Sequence, residues 1–191
     1  MSTRGIYGFH INETDKLAYS HADSYPDVLG TTVLNQLSEV DDWPTVKGLV
    51  ESIVPIHETR KLGHNDEIFQ AELRRHYPDL KYDRNPKDFY DLLSPLQGSL
   101  EPYLSGRLSF MPTANEFIQD SLFCEWGYVA NLDSHELEVY RGLQKVPPFT
   151  GARYQADMDR MGYYPCKMVQ AYHLDKLPTT REFLGDMTTW K

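Results

Sequence analysis

The sequence predicts an α+β domain in which an antiparallel sheet, built from an N-terminal and a C-terminal hairpin, is covered by a helical middle. Three observations carry this expectation: apolar residues alternate over 4–11 and 123–132, aliphatic residues recur at helical spacing between 31 and 53, and 191 residues suit one domain spanning 1–191. Hydrophobic residues make up 40% of the chain and aromatic residues 13%, with 13 tyrosines among them, a composition that closes a core and excludes a disordered tail.

Arg4 to Ile11 put Tyr7, Phe9 and Ile11 on one side of an extended segment, Asn12 to Asp15 carry turn chemistry, and Lys16 to Ser20 return as the partner strand. After the polar loop 20–27, Gly30, Thr31 and Thr32 start a helix with Val33, Leu34, Leu37 and Val40 on one side. A second helix follows Asp42-Trp43-Pro44 with Val46, Leu49, Val50 and Ile53. Residues 57–85 are polar, with a weaker helical stretch around Ile68, Phe69 and Leu73. Asn85-Pro86 resembles the start of a short helix ending at Leu93, and Thr113 with Glu116 resembles a capping box ahead of Phe117 and Ile118. Phe123 to Leu132 and Leu137 to Tyr140 read as the second hairpin, Cys166 to Leu174 as one more strand, and Thr180 to Asp186 as a terminal helix.

Nineteen Lys and Arg stand against 28 Asp and Glu, so a net charge of −9 repels phosphate backbones and anionic lipid. Nucleic acid is thereby disfavoured as a partner. Cys124 and Cys166 lack the spacing of a zinc site or the density of a disulfide scaffold, which predicts reduced, buried thiols. No apolar run approaches the roughly 20 residues that span a bilayer, and no signal-peptide core follows Met1, so the expected location is the cytoplasm with no membrane partner.

The opening Ser2-Thr3-Arg4, a strand, a turn and a second strand ending in His21-Ala22-Asp23 resemble the N-terminal nucleophile hydrolases of the penicillin acylase and bile-salt hydrolase type. The resemblance covers about the first 25 residues. It implies an N-terminal-nucleophile-like fold with Ser2, exposed by removal of Met1, as the catalytic nucleophile and Asp23 as its orienting partner. An N-terminal amine can serve as base for its own side chain. The arginine usual in that family's second-strand motif is absent, His21 sits nearby, and Asn131 is a candidate oxyanion-hole donor. A second resemblance spans more of the chain: residues 3–9, 19–30 and both strands of the second hairpin look similar to a group of uncharacterised small proteins of bacteriophages and bacteria. It implies a phage origin and a role in capturing a small molecule or a host protein.

Two function classes follow. The first is an intracellular, non-enzymatic binding protein of the anti-defence or inhibitor type, in which Arg4 pairs with an anionic group of the ligand, His21 and Asp23 give directional hydrogen bonds, and Tyr25, Trp126 and Tyr128 supply stacking area. The second is an amidohydrolase using Ser2 and Asp23. Against both stands a purely structural use of the same residues as loop and strand-face packing. Neither a cofactor nor a metal is expected: His57, Glu58, His64 and Asp66 sit at no recognised ligand spacing, and no phosphate loop or dinucleotide fingerprint occurs. Arg60-Lys61 and Arg74-Arg75 read as salt-bridged surface.

Overall fold

The computed structural model describes residues 3–83 and 85–190. From the N-terminus, β1 (Arg4–Ile11) and β2 (Thr14–Ser20) are followed by a wide turn at Pro26–Gly30, then α1 (Thr31–Ser38) and α2 (Trp43–Ser52). The middle of the chain holds β3 (Val54–His57), α3 (Glu67–His76), α4 (Phe89–Leu93), α5 (Glu101–Leu104) and β4 (Phe110–Thr113). The last third supplies β5 (Cys124–Asn131), β6 (Glu136–Arg141), β7 (Lys167–His173) and α6 (Thr180–Met187).

Both expected hairpins enter one five-stranded sheet of order β2-β1-β5-β6-β7. The sheet departs from the expected antiparallel pattern at its centre, where β1 and β5 run parallel from Gly5 opposite Trp126 to His10 opposite Asn131. The long helical middle is the crossover that such a pairing requires. Asn12 and Glu13, at φ 50° and 58°, form the tight turn between β1 and β2, and Asp133 accepts both of their backbone N–H groups at 3.0 Å.

Local signals in the middle misplace two boundaries and miss one sheet. Helix α4 begins at Phe89 and is capped by Asp88, whose carboxylate accepts the Asp91 N–H at 3.0 Å, so Asn85-Pro86 lies before the helix. The Thr113–Glu116 segment is not a capping box. Thr113 ends β4, the Ala114 N–H donates to the Leu17 carbonyl at 2.8 Å, and the Asn115 side chain clasps Leu17 N–H and the Asp15 carbonyl. Those bonds to β2 hold the backbone extended, and only a 3-10 turn follows at Asn115–Gln119. The pair β3 and β4, parallel and four residues each, escapes notice because each contains a proline, a residue that argues against strand pairing.

One face of the main sheet is dry and aliphatic to aromatic. Tyr7, Phe9 and Ile11 of β1, Trp126, Tyr128 and Ala130 of β5, and Leu137 and Val139 of β6 pack there against Val33, Leu34 and Leu37 of α1, Val46 and Val50 of α2, and Phe183 and Met187 of α6. Lys16 enters this face with its ammonium on the Val50, Glu51 and Ile53 carbonyls at 2.7–3.0 Å, at the C-terminal end of α2, where carbonyls point out of the helix. Burial lowers its pKa, with Glu51 opposing. The other face is smaller, with Ile6, Leu17, Val129, Tyr140 and both free cysteines beneath Ile118 and Tyr154. No helix is long and apolar enough to cross a membrane among the described residues.

Candidate ligand-binding site

Close backbone approach at one end of the sheet builds a recess. Gly5 lies so near β5 and the following loop that a β-carbon there would stand 2.3 Å from the Trp126 carbonyl oxygen and 2.5 Å from Ser24 Cβ. Into that space the loop after β2 folds back: the Ser24 N–H donates to the Thr3 carbonyl at 3.1 Å and the Ser24 hydroxyl to the Arg4 carbonyl at 2.8 Å. Tyr128 completes the clamp from below, its hydroxyl donating to the Ser24 carbonyl at 3.0 Å while Gly30 rests on its ring.

Held in this way, Tyr25 projects outward and remains 46% exposed. Helix α6 closes the other side, started by a capping box in which Thr179 and Glu182 exchange hydrogen bonds and tied to α1 by the Thr180 hydroxyl to Asn35 at 3.1 Å. Between them lies a recess of about 680 Å³ bounded by Tyr25, Pro26, Asp27, Glu125, Trp126, Arg141, Leu184, Met187 and Thr188. The Arg141 guanidinium lies 4.8 Å from the Trp126 ring centroid, with Nη1 donating to the Glu125 carbonyl at 2.9 Å and Nε to the Trp190 carbonyl at 3.2 Å.

Of the residues expected to bind a ligand, Tyr25 and Trp126 line this recess, although Trp126 is itself 2% exposed. Tyr128 is a core residue instead: it is wholly buried, its hydroxyl is engaged, and burial pushes its pKa well up. Arg4 leaves the sheet toward the Phe123 ring, 5.6 Å away, and His21 stands against Tyr19 with its backbone N–H on Gln97. Asp23 is exposed, in left-handed backbone at φ 55°, and its carbonyl accepts the Leu29 N–H. The six therefore meet in one end of the fold without sharing one opening. Ser2 lies outside the described residues. Asn131 is at the opposite end of β5, and its side chain is taken by Glu138, Asp133 and Ser134, which removes it as an oxyanion donor beside the start of β1.

Sequence reasoning passed over a polar cluster on the smaller face. His10 Nδ1 lies 2.6 Å from Asp15, the Tyr154 hydroxyl donates to Asp15 at 3.0 Å, and buried Glu138 accepts from Asn131 and Tyr140 at 2.8 Å and from Arg153. Burial raises the pKa of both tyrosines, with Glu138 adding at Tyr140 and Asp15 at Tyr154. Beside it is a pocket of about 270 Å³ under Phe149 and Arg153. Strand alternation puts Glu138 on the face opposite Leu137 and Val139, where a half-buried strand carries solvent-facing polar residues, so no local signal marks this carboxylate as buried. The metal candidates of the sequence take separate partners: His57 pairs with Glu116 at 2.9 Å and Asp66 with Arg60 at 2.7 Å, while Lys61 pairs with Asp88 as expected for salt-bridged surface.

Comparison with protein-family models, with curated proteins and with solved structures finds no match to this chain.

Proposed function

We propose that this chain is a binding protein whose recess beside Tyr25 captures a flat, neutral or cationic small molecule carrying hydrogen-bond donors. One observation carries the reading. An exposed tyrosine and the Trp126–Arg141 stack bound an opening of 680 Å³ in which Asp27 and Glu125 supply carboxylates, while two nitrogens of Arg141 are already spent on backbone carbonyls. The exposed Tyr25 ring favours a planar ligand, and carboxylates favour N–H donors over phosphates. The net charge of −9 acts in the same direction.

Thermal-shift titration with adenine, guanine and tryptamine, with ADP as the anionic comparator, tests this. A rise in melting temperature is expected with the uncharged or cationic ring compounds and none with ADP. Tyr25→Ala, at an exposed position, should weaken that binding about tenfold. Absence of any shift with the three ring compounds, or a shift that Tyr25→Ala leaves unchanged, would overturn the proposal.

The amidohydrolase reading is a second proposal, favoured by the bonds from Ser24 that draw Thr3 and Arg4 against the loop carrying Asp23. Hydrolysis of a panel of acyl amides, lost in Ser2→Ala from a chain lacking Met1, is its expected result. A chain that keeps Met1, or hydrolysis unaffected by the substitution, ends it.

A further inference from the structure

The far end of the sheet gathers two imidazoles and a carboxylate. His135 sits in the β5–β6 turn with φ 60°, His173 is the last residue of β7 opposite Glu136, and Asp175 is the middle residue of the 3-10 turn Leu174–Lys176 that follows. The Leu174 N–H donates to the His135 carbonyl at 3.0 Å, so both segments are fixed to one another by backbone. One ligand atom from each of the three residues lies within 4.8 Å of the others, with His135 Nε2 to Asp175 Oδ1 at 3.0 Å and His173 Nδ1 to Asp175 Oδ2 at 3.7 Å. Around a tetrahedral zinc with bonds of about 2.0–2.2 Å, neighbouring ligand atoms stand roughly 3.3 Å apart, so an ion draws the three side chains closer than the 4.8 Å limit within which their ligand atoms lie.

His173 Nδ1 accepts the Asp175 N–H at 3.3 Å, a long hydrogen bond that an ion taking the same lone pair displaces. The Trp43 ring packs edge-on against His135 at 5.3 Å between centroids, holding the imidazole in place. Local spacing hides the site, because His135 comes from a different hairpin from His173 and Asp175.

We propose that His135, His173 and Asp175 bind a divalent transition ion of the zinc class, with water completing the coordination. Two nitrogens and one carboxylate oxygen suit zinc and cobalt over magnesium or calcium. Bound there, the ion staples the β5–β6 turn to the chain leading into α6, at the opposite end of β6 from Arg141 and the recess. The site is therefore independent of the ligand-binding proposal.

The experiment is calorimetric titration of the untagged, chelator-treated chain with Zn²⁺ alone, with Co²⁺ absorption as the spectroscopic readout. The expected result is one ion per chain with a Kd on the order of 1 µM, proton release at neutral pH, and a melting temperature raised by roughly 5 °C at saturation. His135→Asn keeps a residue that tolerates left-handed backbone, and His173→Gln is half-exposed; each should weaken binding at least about tenfold while the chelator-treated melting temperature stays near that of the parent. His21→Gln is the control that leaves binding unchanged. No saturable binding up to about 100 µM Zn²⁺, or affinity retained when both histidines are replaced, would overturn the site and leave an ordinary His–Asp ion pair.

Discussion

The two faces of the five-stranded sheet are covered by different means. On one, α1, α2 and α6 lay apolar stripes over Tyr7, Phe9, Trp126 and Tyr128, and the charge that enters, Lys16, ends on the carbonyls of α2. On the other, the non-helical chain around Phe149 to Cys166 lies over Ile6, Val129 and Tyr140, and the gap is filled by Glu138, Arg153, Asn131 and Asp15. A helix satisfies its own backbone and can present a wholly apolar surface. An irregular segment cannot, so it brings tyrosines and an arginine whose polar ends must find partners under the same cover. The first face therefore derives its strength from volume, and the second depends on hydrogen bonds and ion pairs that satisfy most of its polar atoms, with Arg153 Nη1 left without a hydrogen-bond partner.

The largest effect should come from the helical face. Phe9 is fully buried and meets Tyr103 edge-on at 6.4 Å, so Phe9→Ala should cost about 3–5 kcal/mol in denaturant unfolding. A loss below about 1 kcal/mol would show that this face is not the volume-dependent one.

On the polar face the expected signature is coupling. Arg153→Met strands the buried Glu138 carboxylate and should cost about 3 kcal/mol, whereas adding Glu138→Leu should recover much of that loss. Strictly additive losses would place this face in the same class as the first.

Gly5→Ala probes the edge where the faces give way to the recess. A methyl group 2.3 Å from the Trp126 carbonyl must move backbone, with an expected cost of about 2 kcal/mol and a loosened Tyr25 loop that weakens ligand capture.

The smallest effect is a pH dependence. Burial raises the Glu58 carboxyl from 4.5 to about 7, with Glu116 and Asp88 adding to the rise and His57 opposing it. The folded chain then holds a proton that the unfolded chain has released, so this group's stabilising contribution is full below pH about 4.5 and fades as the pH rises to about 7. Urea unfolding of Glu58→Gln across that interval should show a shallower decline than the parent; parallel curves would remove Glu58 as the cause.

Much of the fold was legible along the chain. Apolar alternation marked β1, β5 and β6, helical spacing marked α1 and α2, and the Thr179–Glu182 pair closes the start of the terminal helix that the pattern had placed. The candidate site was legible in part. Tyr25 and Trp126 were found because exposed and strand-borne aromatics stand out locally, while Asp27, Arg141 and Met187 join them from three separate elements. Tyr128 was misread for the same reason that Trp126 was found: both alternate on one strand, and only the depth of the neighbouring loop separates a ring at an opening from a ring beneath it.

What the sequence alone determined is therefore the set of elements and the acidic, aromatic character of the chain, since periodicity, capping and charge are properties of neighbours in line. Tertiary structure decided the parallel joining of β1 to β5, the burial of Glu138 with Arg153, and the meeting of His135 with His173 and Asp175. Each of these depends on residues brought together from 15 or more positions apart, and no local pattern records which distant partner will satisfy a given strand edge or charge.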